Sequence, residues 1–81
     1  MTFPREGGCQ CGAIRYAVDG PPTLVFACHC TACQRRSGSA FVVSLIVPDR
    51  AFRLTRGRLK PQDRTADSGA TLTHWFCADC G

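Results

Sequence analysis

Seven cysteines fall into three short clusters: Cys9-Gln10-Cys11-Gly12, Cys28-His29-Cys30-Thr31-Ala32-Cys33 and Cys77-Ala78-Asp79-Cys80-Gly81. A thiolate is a nucleophile and a soft metal ligand, so each cluster is half of a tetrahedral zinc site or slightly more. A C-x-C on a strand sends both sulfurs to one face, because side chains there alternate with period two. A C-x-x-C followed by glycine is a turn that aims two sulfurs at one ion. The outer clusters together supply Cys9, Cys11, Cys77 and Cys80, a closed set that would tie the two ends of the chain. Cys28, Cys30 and Cys33 leave a tetrahedron one ligand short. Four protein ligands mark a structural zinc, and three with an open position mark a catalytic one. Spacing alone leaves other groupings open, such as the middle C-x-C joined to Cys77 and Cys80. His29 could complete the middle set, although on a regular strand it would face away from its cysteine neighbours.

Redox context favours metal over disulfides. The start, Met-Thr-Phe-Pro-Arg-Glu-Gly-Gly, has no apolar h-region of a secretory signal. The longest apolar run, Ala40 to Val47 broken by Ser44, has eight residues, where a membrane span needs about 20. A cytoplasmic address is therefore expected, with no membrane partner. Closely spaced cysteines in that compartment are more often metal ligands than disulfides, and an odd number cannot pair completely. The formal charge of +4 treats every cysteine as neutral. Seven thiolates holding two zinc dications would bring it to about +1, so the basic balance does not by itself argue for nucleic acid.

The elements that must carry these clusters are short. Eighty-one residues form one domain, over residues 1–81, whose core is small enough to need a staple. Gly12 to Val18 alternates as a strand, and Asp19-Gly20-Pro21-Pro22 turns the chain. Thr23 to Cys30 is a second strand. Thr31 can cap a helix over Ala32 to Ser37 that stops at Gly38. Ala40 to Val47, apolar on both faces, reads as a buried strand. Ala51 to Thr55 and Arg58 to Lys60 read as a hairpin around Arg56-Gly57. Asp67-Ser68-Gly69 is a turn before a last strand, Thr71 to Cys77. The prediction is a mostly β, zinc-pinned antiparallel domain with one short helix. The sequence stops directly after its last cysteine pair, so the domain is either lean or C-terminally incomplete. An open sheet edge would then invite a second copy to pair as a homodimer.

The ordered motifs resemble those of the glutathione-dependent formaldehyde-activating enzymes and the centromere protein V-like proteins grouped with them. The matching stretches are Gly7-Gly8-Cys9-Gln10-Cys11-Gly12, Cys28-His29-Cys30-Thr31-Ala32-Cys33-Gln34-Arg35, Ser37-Gly38-Ser39-Ala40-Phe41, Val47-Pro48 with Phe52, and Phe76-Cys77-Ala78-Asp79-Cys80-Gly81. The resemblance implies a fold of the β-tent kind, with a structural zinc on Cys9, Cys11, Cys77 and Cys80. It further implies a labile catalytic zinc on Cys28, Cys30 and Cys33. The implied activity is condensation of formaldehyde with glutathione, a carbon–sulfur lyase reaction in reverse. Small thiol and aldehyde substrates follow. The sequence departs from the family where members usually continue past the last cysteines.

The residues are compatible with that chemistry. Three thiolates make zinc a weak Lewis acid for water, but an open position can bind and deprotonate a thiol. Cys33 would lie in the first helical turn, where the helix dipole favours a thiolate. Arg35 and Arg36 are the nearest cations for glutathione's carboxylates. Ser37, Gly38 and Ser39 match the family's glutathione-side loop by motif. His29 and His74 are the only imidazoles able to shuttle a proton, and Trp75 and Phe76 are expected in the core beside the closed zinc site. The competing reading is a non-catalytic zinc module that binds nucleic acid or a protein. It would use Arg56, Arg58 and Lys60 as a stripe on one strand, with Arg50, Arg53 and Arg64 nearby. A solvated charged edge is the plainer account of that stripe. A third reading is a redox or metal-sensing protein that uses the middle cysteines.

Overall fold

Seven strands, β1 (Arg5–Gly8), β2 (Arg15–Val18), β3 (Leu24–Cys28), β4 (Val42–Ile46), β5 (Phe52–Arg56), β6 (Leu59–Thr65) and β7 (Thr71–Cys77), build three small antiparallel sheets in a computed structural model that describes residues 2–81. One helix, α1 (Thr31–Ser37), joins β3 to β4, and a single 3₁₀ turn, Asp49–Ala51, leads into β5. The strand order is β1-β2-β5 in the first sheet, with β3-β4 and β6-β7 as separate two-stranded ribbons. The protein is mostly β with one short α-helix, as the pattern predicts.

The first sheet carries most of the core. Ala17 and Val18, successive residues of β2, are 2% and 6% exposed, so both faces of the strand are covered at that end. A register shift between Arg15 and Tyr16 breaks the simple alternation read from the sequence. Ile14 and Ala51 complete the buried apolar set, together with the thiols of Cys33 and Cys77. Tyr16 packs on Phe52 across the sheet with ring centroids 5.2 Å apart. No large side chain is fully buried among the described residues. Such a core is too small to dominate stability, which leaves room for a metal staple.

Four expectations change. Arg58 to Lys60 does not form a hairpin with Ala51 to Thr55; β5 pairs with β2, whereas the longer β6 pairs with β7 along its whole length. Pro61 sits inside β6 opposite Trp75, which a ribbon permits because its outer edge needs no donor. Arg56 and Lys60 consequently lie in different sheets, so the basic residues form no stripe on one strand. Trp75 is 60% exposed rather than in the core, while Phe76 is half-buried. The apolar strand β4 is not buried either. Val43, 64% exposed, and Leu45 lie on one face of the β3–β4 ribbon with Val25, because no third layer covers it.

Gly57 holds the β5–β6 connection in place. Its φ is +90°, and a side chain there would run into the Ala13 carbonyl. Only glycine combines that backbone angle with so close an approach.

Candidate functional site

The first and last cysteine clusters meet. Cys11 Sγ lies 3.6 Å from both Cys9 Sγ and Cys77 Sγ. All four sulfurs of Cys9, Cys11, Cys77 and Cys80 fall within 4.8 Å of one another. A tetrahedral zinc with bonds of about 2.3 Å spaces its sulfurs about 3.8 Å apart, so the set fits the ion.

Local backbone explains the convergence. The β1–β2 hairpin is closed by the Cys9 amide donating to the Ile14 carbonyl at 3.2 Å, and Gly12 takes a φ of +85° in its loop. The Cys9-x-Cys11 pair is therefore in a turn and not on a strand; the tight loop, not strand alternation, aligns the sulfurs. At the other end, β7 runs out into a turn in which the Gly81 amide donates to the Cys77 carbonyl at 2.9 Å. Amide donors also reach the sulfurs: Ile14 N to Cys9 Sγ at 3.3 Å and Asp79 N to Cys77 Sγ at 3.4 Å. The Ile14 amide is the main reason that the Cys9 thiol is pulled down to about 6. The Ala13 amide acts likewise on Cys11, but the thiols of Cys9, Cys77 and Cys80 outweigh it and push Cys11 up to about 12. Cys9 thus ionises at the expense of Cys11, as expected of closely coupled thiols.

The middle cluster gathers at the junction of β3 and α1. Cys28 Sγ lies 3.4 Å from Cys30 Sγ and 2.7 Å from Cys33 Sγ. The latter pair would spread by ~1 Å to reach a tetrahedral edge. Cys28 ends β3, and Cys30, not Thr31, caps the helix: its sulfur accepts the Cys33 amide at 3.5 Å. Sulfur replaces the usual hydroxyl at the cap. The Cys33 amide is the leading reason that the Cys30 thiol falls to about 7, whereas the bond from Cys33 drives Cys28 upward. No fourth His, Cys, Asp or Glu ligand atom joins the three sulfurs among the described residues. The His29 ring instead stacks on Phe41 at 5.4 Å, away from them.

Two clefts border α1. One, of about 600 Å³, lies between α1 and the β6–β7 ribbon and is lined by Arg35, Arg36, Gln62, Arg64 and His74 with the exposed Trp75. Arg36 ties it to the thiols, its Nη2 lying 3.9 Å from Cys33 Sγ. The other is lined by Cys30 together with Arg64 and Asp67. Ala32 and Arg64 border both. Burial, with the positive charges of Arg36 and Arg64, lowers the pKa of His74. Ser37, Gly38 and Ser39 line neither cleft. Gly38 is the left-handed C-cap with a φ of +68°, Ser37 Oγ donates to the Cys33 carbonyl at 2.8 Å, and the Ser39 amide donates to Ser37 Oγ at 3.1 Å.

A family model described as glutathione-dependent formaldehyde-activating enzyme matches residues 4–81. The chain belongs to this family. A curated protein of Penicillium rubens, itself provisionally named a glutathione-dependent formaldehyde-activating enzyme, is 32% identical over 75 residues. That match covers 90% of this chain and 38% of the relative, so the chain spans about two fifths of the length of the curated protein it matches. No solved structure matches.

In this member of the glutathione-dependent formaldehyde-activating family, the ribbon contributes cleft residues that sequence reasoning did not associate with the cysteines. The sequence pattern gives Gln62 no role and sets Arg64 near the stripe of Arg56, Arg58 and Lys60. Both alternate onto one side of β6, opposite Asp63, whose carboxylate accepts from Thr73 Oγ1 at 2.7 Å. The signal was there in the period-two spacing of Gln62 and Arg64, but the strand reading stopped at Lys60. Arg53 and Arg56 are engaged elsewhere: Arg53 with Asp19 at 3.1 Å, and Arg56 with the Gly12 carbonyl. No helix among the described residues is long and apolar enough to cross a membrane.

Proposed function

We propose that the chain carries the active centre of a zinc-dependent carbon–sulfur lyase that joins a thiol, glutathione or a similar one, to formaldehyde or another small aldehyde. The observation that carries this reading is the three-sulfur cluster of Cys28, Cys30 and Cys33, joined by no fourth His, Cys, Asp or Glu ligand among the described residues, with Arg36 of a neighbouring cationic cleft 3.9 Å from the Cys33 sulfur. Family membership supports the same chemistry.

In this reading Cys9, Cys11, Cys77 and Cys80 hold a structural zinc, and Cys28, Cys30 and Cys33 hold a second, more labile one. Cys28, Cys30 and Cys33 would hold that ion, and the chemistry it would supply is Lewis acidity that favours the thiolate form of an incoming thiol near neutral pH. The reaction is redox-neutral. The sulfur forms a bond to the aldehyde carbon, the carbonyl π bond breaks, and the thiol's proton ends on the former carbonyl oxygen.

The protein's own groups orient the thiol. Arg35 and Arg36 face the cleft and suit carboxylates, and Arg36 places a guanidinium against the Cys33 sulfur. Ser37, Gly38 and Ser39 act at one remove, fixing the end of α1 and with it the two arginines. His74 Nε2 accepts from Arg64 Nε at 3.3 Å, which leaves the ring proton on Nδ1 and makes His74 an acceptor for arginine rather than a proton carrier. Water in the clefts therefore carries the thiol's proton to the former carbonyl oxygen. The chemistry requires a reducing compartment such as the cytoplasm, where thiols stay unpaired.

The test is direct. The zinc-loaded protein is added to formaldehyde and glutathione, and adduct formation is followed by exchange NMR. Acceleration over buffer with free zinc supports the reading; none overturns it. Native mass spectrometry should find two zinc ions, one of which a mild chelator removes first.

A further inference from the structure

Three guanidinium groups, of Arg35, Arg36 and Arg64, line the cleft between α1 and the β6–β7 ribbon, and no carboxylate side chain lines it with them. Among the described residues the one ion pair is Arg53 with Asp19, neither of which lines this cleft. Like charges gathered with no acidic side chain among them repel, and an anion that enters relieves them. Arg64 differs from the other two. It is half-buried, and its Nε is committed to His74 Nε2 at 3.3 Å, which aims the planar group while its outer nitrogens make no hydrogen bond among the described residues. A fork held this way suits bidentate binding of a carboxylate. Arg64 also borders the neighbouring space lined by Cys30, so one ligand could reach the sulfurs and this guanidinium together. Asp67 lines that second space without an ion pair to Arg64.

We propose that Arg64, aimed by His74, reads a carboxylate of the thiol substrate and makes the centre select anionic over neutral thiols. The proposal rests on the thiol–aldehyde reading above. It makes Arg64 a specificity-determining residue contributed by the ribbon, and His74 a positioning residue that acts through it.

Binding and turnover separate the two ideas. S-Methylglutathione, a thioether that cannot add to an aldehyde, and its dimethyl ester are titrated into the zinc-loaded protein and followed by amide NMR shifts. A charge-assisted pair lost on esterification should weaken binding by about 10-fold or more. Arg64→Gln should weaken the acid by a similar factor and leave the ester unchanged, and Arg64→Lys should recover part of the loss. His74→Gln, whose amide oxygen can still accept from Arg64 Nε, should keep the preference for acid over ester, and His74→Ala should erode it. If Arg64→Gln weakens acid and ester equally, or neither, the proposal is overturned. The formaldehyde assay runs beside it. Adduct formation with an unaltered acid-to-ester ratio in Arg64→Gln sinks the Arg64 role alone. Absent adduct formation with the charge preference intact sinks the activity and leaves Arg64 as a carboxylate site.

Discussion

Cys11 and Cys77 are 66 residues apart in sequence, and their sulfurs are 3.6 Å apart in space. That contact joins the β1–β2 hairpin to the end of β7, and the two sheets involved share no strand pairing. Structural zinc in small peptides contributes on the order of 10–16 kcal/mol of apparent binding free energy. A domain of this kind has about 5–15 kcal/mol of net stability. Cys77→Ser should therefore abolish the folded state, read as collapse of amide NMR dispersion. A strong chelator should do the same to the wild type.

Cys33→Ser should behave differently. Its sulfur belongs to the three-thiol set, and the closed set lies on other elements. The variant should keep a dispersed spectrum and bind one zinc in place of two by native mass spectrometry. Thiol–aldehyde activity should fall by more than about 100-fold, the upper range for disturbing a metal ligand's support. Loss of fold with loss of the second ion would show that the two centres are not separable.

Two glycine substitutions give a matched pair. Gly57→Ala puts a methyl group against the Ala13 carbonyl at a φ of +90°, and should cost more than about 2 kcal/mol in urea unfolding. Gly20→Ala meets nothing within 4 Å and should change stability by less than about 0.5 kcal/mol.

His74 should titrate below its ordinary 6.5, first because it is desolvated and then because Arg36 and Arg64 repel its cationic form. With the folded value depressed, the unfolded chain binds more protons between the two pKa values. The stability at stake is therefore fully present above 6.5 and is lost as the pH falls through the folded value. Ring-proton NMR should give a midpoint below 6.5, and Arg36→Gln should move it upward. A midpoint at or above 6.5 would contradict the cleft as described.

Much of the candidate site was legible in the cysteine spacing because ligand pairs are local. Cys9 with Cys11, Cys77 with Cys80, and the 28–33 run each close within one turn, so little depends on tertiary structure. The β-rich class and the Gly38 stop were equally local. Pairing between distant strands was not. Arg58 to Lys60 reads as a short hairpin arm, whereas β6 runs on from Leu59 to Thr65 through Pro61, and only its position on a two-stranded ribbon makes that proline acceptable. Arg5–Gly8 carries two glycines and no large apolar residue, so nothing in its composition announced β1. Apolar Val43 and Leu45 predicted burial, but hydropathy records preference for a covering layer and not whether one is there.

The sulfur of Cys30 both terminates α1 and stands among the three gathered thiols. An alcohol would tether the first turn at least as well, since serine is among the strongest residues at that place. Cys30→Ser should thus preserve the helix yet discard affinity for soft cations, which separates architectural duty from coordination duty within a single atom. The helix would tolerate oxygen here; only the ion demands sulfur.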